Sequence, residues 1–439
     1  MKLISNNFIQ SVGAEVDIFN VFTSLKKEIN NQDPFFICKL SEIISKYHSW
    51  KMMFPRVKPF YGVNTNSNSI VLETLAGLGV GFECTTKNDM IQASSVAGSN
   101  SIFLSVPLKT ANLIKHASNS SVHLISFDTE SELEKILKFY PQAKLLIHVR
   151  SLFDEEMSYN FGCDPDTSYK KLLKLACSLN LNVVGIHFNI EPEGKQEAYS
   201  KTIELARKLF DVATSVGYDF NLLSLGRGFP TDCLNELAEE VNNALDNYFP
   251  DNSVDVIANP AQFFVESAFT LSCHIEYIRQ VNKTDPITGI PYTHYEYFIN
   301  DGVFGSFNNV FWNKQNINLQ PLNNYPLFKT YSSSIWGPTS SALDRIIEEV
   351  SLPEMKIGDS IIFDNMGYFT PSCHNGFPPQ EVYVLANEEN WSHMCEDQQD
   401  SKEIYFVMEN NAEDYSQECF DEEVNLPDIL HIDSCNMLK

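Results

Sequence analysis

Nowhere does this chain carry an apolar run near the roughly 18 residues that a membrane-spanning helix needs. Hydrophobic residues nonetheless make up 43% of its 439 positions. The expectation is a soluble globular protein with no membrane span, long enough for a barrel and a second domain. Ten cysteines occur singly. With no Cys-x-x-Cys pair and no histidines at metal-ligand spacing, neither a disulfide frame nor a metal site is expected. The opening residues, Met1 to Phe8, contain no h-region of signal-peptide length, so a cytoplasmic location is expected and the sequons at Asn119, Asn282 and Asn390 carry no glycosylation. Positive charge is also scarce, with 31 Lys and Arg against 57 Asp and Glu, a formal charge of −26. Nucleic acids and anionic membranes are bound by clustered cations that replace released counterions, so both are excluded as partners. From Asn387 onward there are fifteen Asp or Glu and two Lys, a net of −13, and this end reads as a solvated, weakly folded acidic tail.

What is present is a rhythm. Short apolar runs recur at about 58–63, 80–84, 101–105, 122–126, 143–149, 182–188, 220–225 and 254–258, with helically spaced stretches between them, such as Leu172, Leu173, Leu175, Ala176 and Leu179. Eight strands alternating with helices over about 200 residues predict a (β/α)8 TIM barrel. In the fourth connection, Thr129 followed by Glu132 predicts a capping box, and Leu133, Ile136, Leu137 and Tyr140 continue at helical spacing.

After about residue 262 the texture changes to short aromatic and β-branched runs: Ala268 to Ile275, His294 to Asn300, Ser360 to Phe363 and Glu381 to Leu385. They predict a β domain, with 282–291 as a loop between two of its strands. The division read from the chain is 1–40, an amino-terminal segment whose strand at 35–40 precedes the barrel; 41–261, the barrel; 262–386, the β domain; and 387–439, the acidic tail.

The stretch Lys58-Pro-Phe-Tyr-Gly-Val-Asn-Thr-Asn66 reads as a buried barrel strand that ends at Val63. Active sites of such barrels lie at the carboxyl ends of the strands, which puts Asn64 where chemistry belongs and Lys58 at the stability end. A carboxamide is not nucleophilic and forms no Schiff base.

Five further runs stand out: Gly226-Arg-Gly-Phe-Pro230, Asn300-Asp-Gly-Val-Phe-Gly-Ser-Phe307, Tyr331 to Thr339 with its Trp-Gly-Pro, Leu352-Pro-Glu-Met-Lys-Ile-Gly-Asp359, and Pro59-Phe-Tyr. Together they make the chain resemble the ornithine decarboxylase family from about residue 8 to 386. The resemblance implies an alanine-racemase-type barrel with a carboxyl-terminal β domain that the early strand joins, and pyridoxal phosphate as the family's cofactor.

Carried over residue by residue, the resemblance puts Asn64 at the Schiff-base lysine and Asn189 at the histidine that stacks on the cofactor ring. The following Gly-Ser-Gly turn becomes Glu191-Pro192-Glu193. The phosphate turn is partly kept as Gly226, Arg227 and Gly228. The carboxylate that pairs with the pyridinium nitrogen is Asn259, and the arginine beside the phosphate is Gln262. Ser340 and Ser341 replace the Cys-Asp pair that completes a neighbouring subunit's site, Asn313 replaces a substrate-binding aspartate, and Phe369 a tyrosine near the phosphate. The expectation is therefore a catalytically inactive protein that holds no cofactor. No substitute lysine is evident: Lys58 faces the wrong end and Lys87 is read in a loop. His187 is read as lining the core of an apolar strand.

A kept scaffold with a lost site points to protein binding. One kind of family member, antizyme inhibitor, has lost decarboxylation and captures antizyme, and the corresponding element here is about Leu108 to Tyr140. From Lys109 to Lys144 it holds Lys109, Lys115, Lys135, Lys138 and Lys144 against four carboxylates, a net of +1 in a protein of −26. Read one way, Lys109, Lys115, Lys135 and Lys138 form a steering patch for an acidic partner; read the other, they are an ordinary solvated helix face. Gln142 stands where the family usually has another lysine. The alternatives are a regulatory pseudo-subunit of an active ornithine decarboxylase and, after it, a decarboxylase of altered chemistry. An interface lysine position appears as Asn160 opposite Asp344, which leads to the expectation of a monomer or weak dimer.

Overall fold

The structure, a computed structural model, describes residues 9–11, 18–29, 33–151, 161–190, 197–229, 231–311, 317–323, 325, 329–369 and 380–386. It begins with strand β1 (Ile9–Ser11) and helix α1 (Ile18–Ile29), followed by β2 (Phe35–Lys39) and α2 (Leu40–Met53). Then come the barrel strands β3 (Val57–Gly62), β4 (Gly81–Cys84), β5 (Ile102–Leu104), β6 (Leu124–Phe127), β7 (Lys144–His148), β8 (Asn182–His187), β9 (Leu222–Ser224) and β10 (Asp255–Ala258). They close in parallel in the order β10-β3-β4-β5-β6-β7-β8-β9. The apolar runs of the sequence mark all eight, because strands covered on both faces read as continuous apolar segments.

Helices α3 (Ser69–Gly77), α4 (Lys87–Val96), α5 (Ala111–Asn119), α6 (Glu130–Phe139), α7 (Tyr169–Ser178), α8 (Ala198–Val216) and α9 (Leu234–Tyr248) lie between the strands, and α10 (Ala261–Val265) follows the last. Lys87 is therefore the first residue of α4 and not a loop residue. It is placed there by a capping box in which Thr86 and Asp89 satisfy each other's backbone. At α6 only half of the expected box forms. Thr129 accepts from the backbone of Glu132, but the Glu132 carboxylate is drawn to Lys109 and Lys135.

The β domain comprises β11 (Phe269–Thr284), β12 (Pro291–Ile299), β13 (Leu319–Pro321), β14 (Tyr331–Trp336), β15 (Arg345–Leu352), β16 (Ser360–Phe363) and β17 (Glu381–Ala386). Its sheet runs β1-β17-β2-β11-β12-β14-β15, with β16 pairing β11 and β13. β2 lies between β17 and β11, so an early strand is built into the late sheet. The segment 282–291 is not one loop: β11 and β12 pair as far as Thr284 and Pro291, leaving a turn of 285–290. The Asp285 carboxylate accepts from the backbone of Ile287 and Thr288, which closes that turn tightly enough for both arms to extend.

One hydrophobic cluster spans both parts of the molecule, joining Leu145 and Val256 of the barrel to Leu271 and Phe363 of the sheet. Trp50 of α2 stacks on Phe54, meets Phe229 and Phe264 edge-on, and donates its indole N–H to Val57 O at 3.0 Å. That contact fixes β3 and the segment after β9, the two elements that frame the barrel mouth.

Candidate functional site at the barrel mouth

The barrel interior changes character along its axis. Phe60, Phe103, Leu124, Leu146, Leu222 and Ile257 pack together in its lower part. Two residues further along the same strands, and so on the same face, stand Ser105, Ser126, His148, Ser224 and Asn259, all buried. The interior is therefore polar toward the carboxyl ends of the strands, where sites of this fold are built.

Asn64 sits in the single turn Val63–Thr65 that ends β3, and the Tyr61 hydroxyl closes this corner by donating to Asn66 O at 3.0 Å. Asn259 faces it from β10. Its Oδ1 accepts from the backbone of Gly62 (3.1 Å) and Ala261 (3.2 Å), while its own N–H donates to Gly226 O (2.7 Å). Asn259 thus fastens three strand ends together. An amide has no negative charge to offer a ring nitrogen. The β domain reaches the same corner: Phe369 N–H donates to Thr65 O (3.0 Å) and Asn66 Nδ2 to Gly367 O (3.2 Å). Phe369 holds a φ of +58°, a left-handed conformation that costs a side-chain-bearing residue roughly 1–2 kcal/mol.

On the opposite side, Gly226 and Gly228 both have positive φ, and a Cβ at either would lie 2.0 Å from a carbonyl oxygen, of Phe188 and Ile190 respectively. Only glycine fits at both positions. Arg227 lies between them with its Nε buried and lacking an acceptor. Asn189 Oδ1 is buried beside Gly226, also without a partner. Gln262 turns away to Glu266, whose other oxygen takes the Thr231 hydroxyl.

Below this rim, His148 and His187 are register partners on β7 and β8, with ring centroids 4.9 Å apart. His187 Nδ1 is 2.9 Å from Ser224 Oγ, and Phe103 meets its ring edge-on from β5, so His187 does line the barrel core. Burial pushes His148 down to about 4, aided by the charges of Lys109 and Arg227. Burial, with His148 and Arg227 beside it, holds His187 well below the usual imidazole range. Both rings are neutral at pH 7. His148, Ser105, Ser126 and Ser224 lie at or next to the carboxyl ends of short, mostly apolar strands, which hides them along the chain. The usable signal is a polar residue two positions beyond an apolar one at a strand's carboxyl end; Asn64 is marked differently, as the polar residue directly after the run that closes at Val63.

The structure thus brings Asn64, Asn189, Gly226, Arg227, Gly228, Asn259 and Phe369 around one mouth. Ser340 and Ser341 stand elsewhere, in the turn between β14 and β15, where Ser341 bonds locally to Thr339 and Leu343. Asn160, Asn313 and Glu191-Pro192-Glu193 lie outside the described residues, as does the acidic tail.

Two expectations need correction. Lys109 is not on the surface: it is 1% exposed, its Nζ donates to the carbonyls of Val106, Pro107 and Ser126, and it pairs with Glu132 at 3.1 Å. A cation so enclosed caps carbonyls and cannot meet a partner. Lys135, one-third exposed, pairs with the same carboxylate, which leaves Lys115 and Lys138 as the exposed members, 4.9 and 5.3 Å from the Phe139 ring. Nor is Asp344 half of a broken interface pair. It is buried, and it accepts from the backbone of Val303 (2.7 Å) and Thr339 (2.9 Å) and from the Thr339 hydroxyl (2.6 Å). The expectation of a weak dimer loses that support.

Residues 40–266 match the family model described as pyridoxal-dependent decarboxylase, pyridoxal binding domain. The chain is 36% identical to the ornithine decarboxylase of Mus musculus over 385 residues, 83% of either chain. It is 34% identical to antizyme inhibitor 1 of Pongo abelii over 418 residues, 88% of this chain and 92% of that one. Among solved structures, the Paramecium bursaria Chlorella virus arginine decarboxylase is similar with a TM-score of 0.76 at 26% identity, covering 83% of this chain and 99% of that one. SrLDC in complex with PLP and cadaverine shares the fold with a TM-score of 0.74 at 23% identity, covering 90% and 100%.

The expectation that no cofactor is involved does not stand: the matched model is that of a pyridoxal-binding domain, and a structure of the same fold holds PLP. Bound through an imine, pyridoxal phosphate supplies an electron sink. The residues here fit one end of it. Position 64 offers no amine and Asn259 no carboxylate, whereas the glycine turn and Arg227 offer positive charge and backbone N–H groups to a phosphate.

Proposed function

We infer the function from the premise that this chain belongs to the pyridoxal-dependent decarboxylase family that includes ornithine decarboxylase. We propose that it is a catalytically inactive member that regulates polyamine biosynthesis by protein binding, capturing antizyme as the name of its antizyme-inhibitor relatives implies for them. One observation carries the reading: the strand end where a covalent anchor would stand holds Asn64, and Asn259 beside it is committed to backbone N–H groups. Overall identity does not favour it, since the mouse ornithine decarboxylase is as similar as the antizyme inhibitors. The binding element is α5 and α6, where exposed Lys115 and Lys138 flank Phe139 in a protein of charge −26. Such rim charges steer association more than they add affinity.

A second reading, pairing with an active decarboxylase subunit, is supported by the turn between β14 and β15. Asp344 braces it from inside while Leu343 stands 67% exposed.

The test measures ornithine decarboxylation and antizyme binding by purified protein. No decarboxylation is expected, and Lys115→Glu with Lys138→Glu should slow antizyme association with marked salt dependence, each charge contributing on the order of 0.5–1 kcal/mol. Lys170→Glu with Lys174→Glu is the matched control, because Lys171 pairs with Glu130 of α6 at 2.6 Å and is not independent of that surface. Turnover of ornithine would overturn the inactive reading. Equal effects of the two pairs, or no antizyme binding, would overturn capture and leave the pseudo-subunit, tested by pull-down with an active decarboxylase.

A further inference from the structure

We propose that Ser131, on the outer face of α6, is a phosphorylation site for an acid-directed protein kinase, and that its phosphate reverses the charge of the surface that carries Lys138. Ser131 is the second residue of the helix and is exposed. It lies in Asp128-Thr-Glu-Ser-Glu-Leu-Glu134, where a carboxylate stands at every second position. A kinase with a cationic substrate groove reads such a run by charge complementarity. A hydroxyl between Glu130 and Glu132, with exposed Glu134 three residues on, is the acceptor that suits it.

The first turn of α6 is also weakly fastened. Thr129 Oγ1 accepts from Glu132 N at 3.4 Å and Thr129 O from Leu133 N at 3.3 Å, both long, and the Glu132 carboxylate that would return the cap is held by Lys109 and Lys135. Helix ends with unpaired N–H groups open locally, which gives a kinase an extended segment to bind. Thr129 is the cap itself, whereas Ser131 Oγ meets Thr129 Oγ1 at 3.2 Å and closes no turn.

The residues around Ser131 suit the product. Glu130 is paired with Lys171 of α7 and Glu132 with Lys109, so a phosphate here meets the N-terminal turn of a helix and not two uncompensated carboxylates. Lys135 stands four residues on, the spacing at which an anion draws a lysine along a helix. It is one-third exposed, and it can leave Glu132 because Lys109 stays behind. Lys138 follows on the same face at i+7. The phosphate brings about −2 at pH 7, which turns the net +1 of 109–144 into about −1. Slower association with antizyme is the consequence, and that consequence rests on the capture reading above. In the transfer, the bond between the γ-phosphorus of ATP and the β–γ bridging oxygen breaks and a bond from Ser131 Oγ to that phosphorus forms. ADP leaves, and the hydroxyl proton passes to the kinase's catalytic carboxylate.

The full chain is treated with a casein-type kinase, one that selects hydroxyls followed by carboxylates, and with ATP and Mg²⁺; phosphate is then mapped by peptide mass spectrometry. Phosphate is expected on Ser131, with slower hydrogen exchange across 130–139. At low salt, antizyme association should slow roughly threefold or more, a difference that shrinks as salt rises. Ser131→Ala treated in the same way should show neither change, whatever the kinase adds elsewhere in the chain, and Ser131→Glu should reproduce part of both. No phosphate on Ser131, phosphate on Thr129 in its place, unchanged exchange after modification, or unchanged association in a protein that does capture antizyme would each overturn the proposal. Should the chain not bind antizyme at all, the capture reading falls, and the mapped site and the exchange measurement decide the modification by themselves.

Discussion

His148 and His187 enter the folded state neutral because burial lowers both, His148 to about 4. In the unfolded chain each titrates near the ordinary 6.5. Between these values the unfolded state binds more protons, so stability is full above about pH 6.5 and falls as the pH drops toward 4. Each unit of separation corresponds to about 1.4 kcal/mol, so His148 alone accounts for up to ~3 kcal/mol at the bottom of that window. Urea unfolding at stepped pH should show the loss, and His148→Asn should flatten its own share of the slope; an unchanged slope would mean that the ring is protonated in the folded state. At the rim, Asn64→Lys supplies an amine but leaves Asn189 and Asn259 in place. Groups that act as a unit are not restored singly, so borohydride trapping of pyridoxal phosphate at position 64 is expected without decarboxylation.

Helix α6 is held by a carboxylate that the sequence offers as a cap. Glu132 is 3% exposed and binds Lys109 and Lys135, and Lys135 also donates to Lys109 O. Removing one partner of a buried pair leaves the other charge uncompensated, at a cost of roughly 3–5 kcal/mol. Glu132→Ala should therefore lower the unfolding free energy by about that amount and speed hydrogen exchange across 130–139. Lys109→Met combined with Glu132→Leu should cost much less than the sum of the two singles, since the penalty belongs to the orphaned charge. The same helix carries Lys138, so the anchor also sets the geometry of the proposed antizyme face.

Over the whole molecule, the barrel and the β domain share one hydrophobic cluster, and β2, which precedes the barrel in sequence, is a central strand of the later sheet. Two hydrogen bonds, Phe369 N to Thr65 O and Asn66 Nδ2 to Gly367 O, close the contact at the mouth. Neither part can open without exposing the core of the other. Calorimetry should show a single cooperative transition with equal calorimetric and van't Hoff enthalpies, and the isolated fragment 40–266 should not fold stably. Two separated transitions would contradict this coupling.

The sequence by itself determined the barrel and its mouth. Eight apolar runs mark strands because both faces of each are covered, and the end of each run marks the face where Asn64, Asn189 and Asn259 gather. The aromatic, glycine-punctuated second half determined a β domain in the same way, since period and composition are local properties. Tertiary structure decided what depends on neighbours remote in the chain. Lys109 and Lys115 look alike along the chain, yet one caps three carbonyls and the other is exposed beside Phe139. Asp344 proved to be an internal brace for the backbone of Val303 and Thr339, and Glu132 an anchor where a cap was expected. Charge burial follows from which groups meet across strands and helices, and spacing along a single segment carries no record of that.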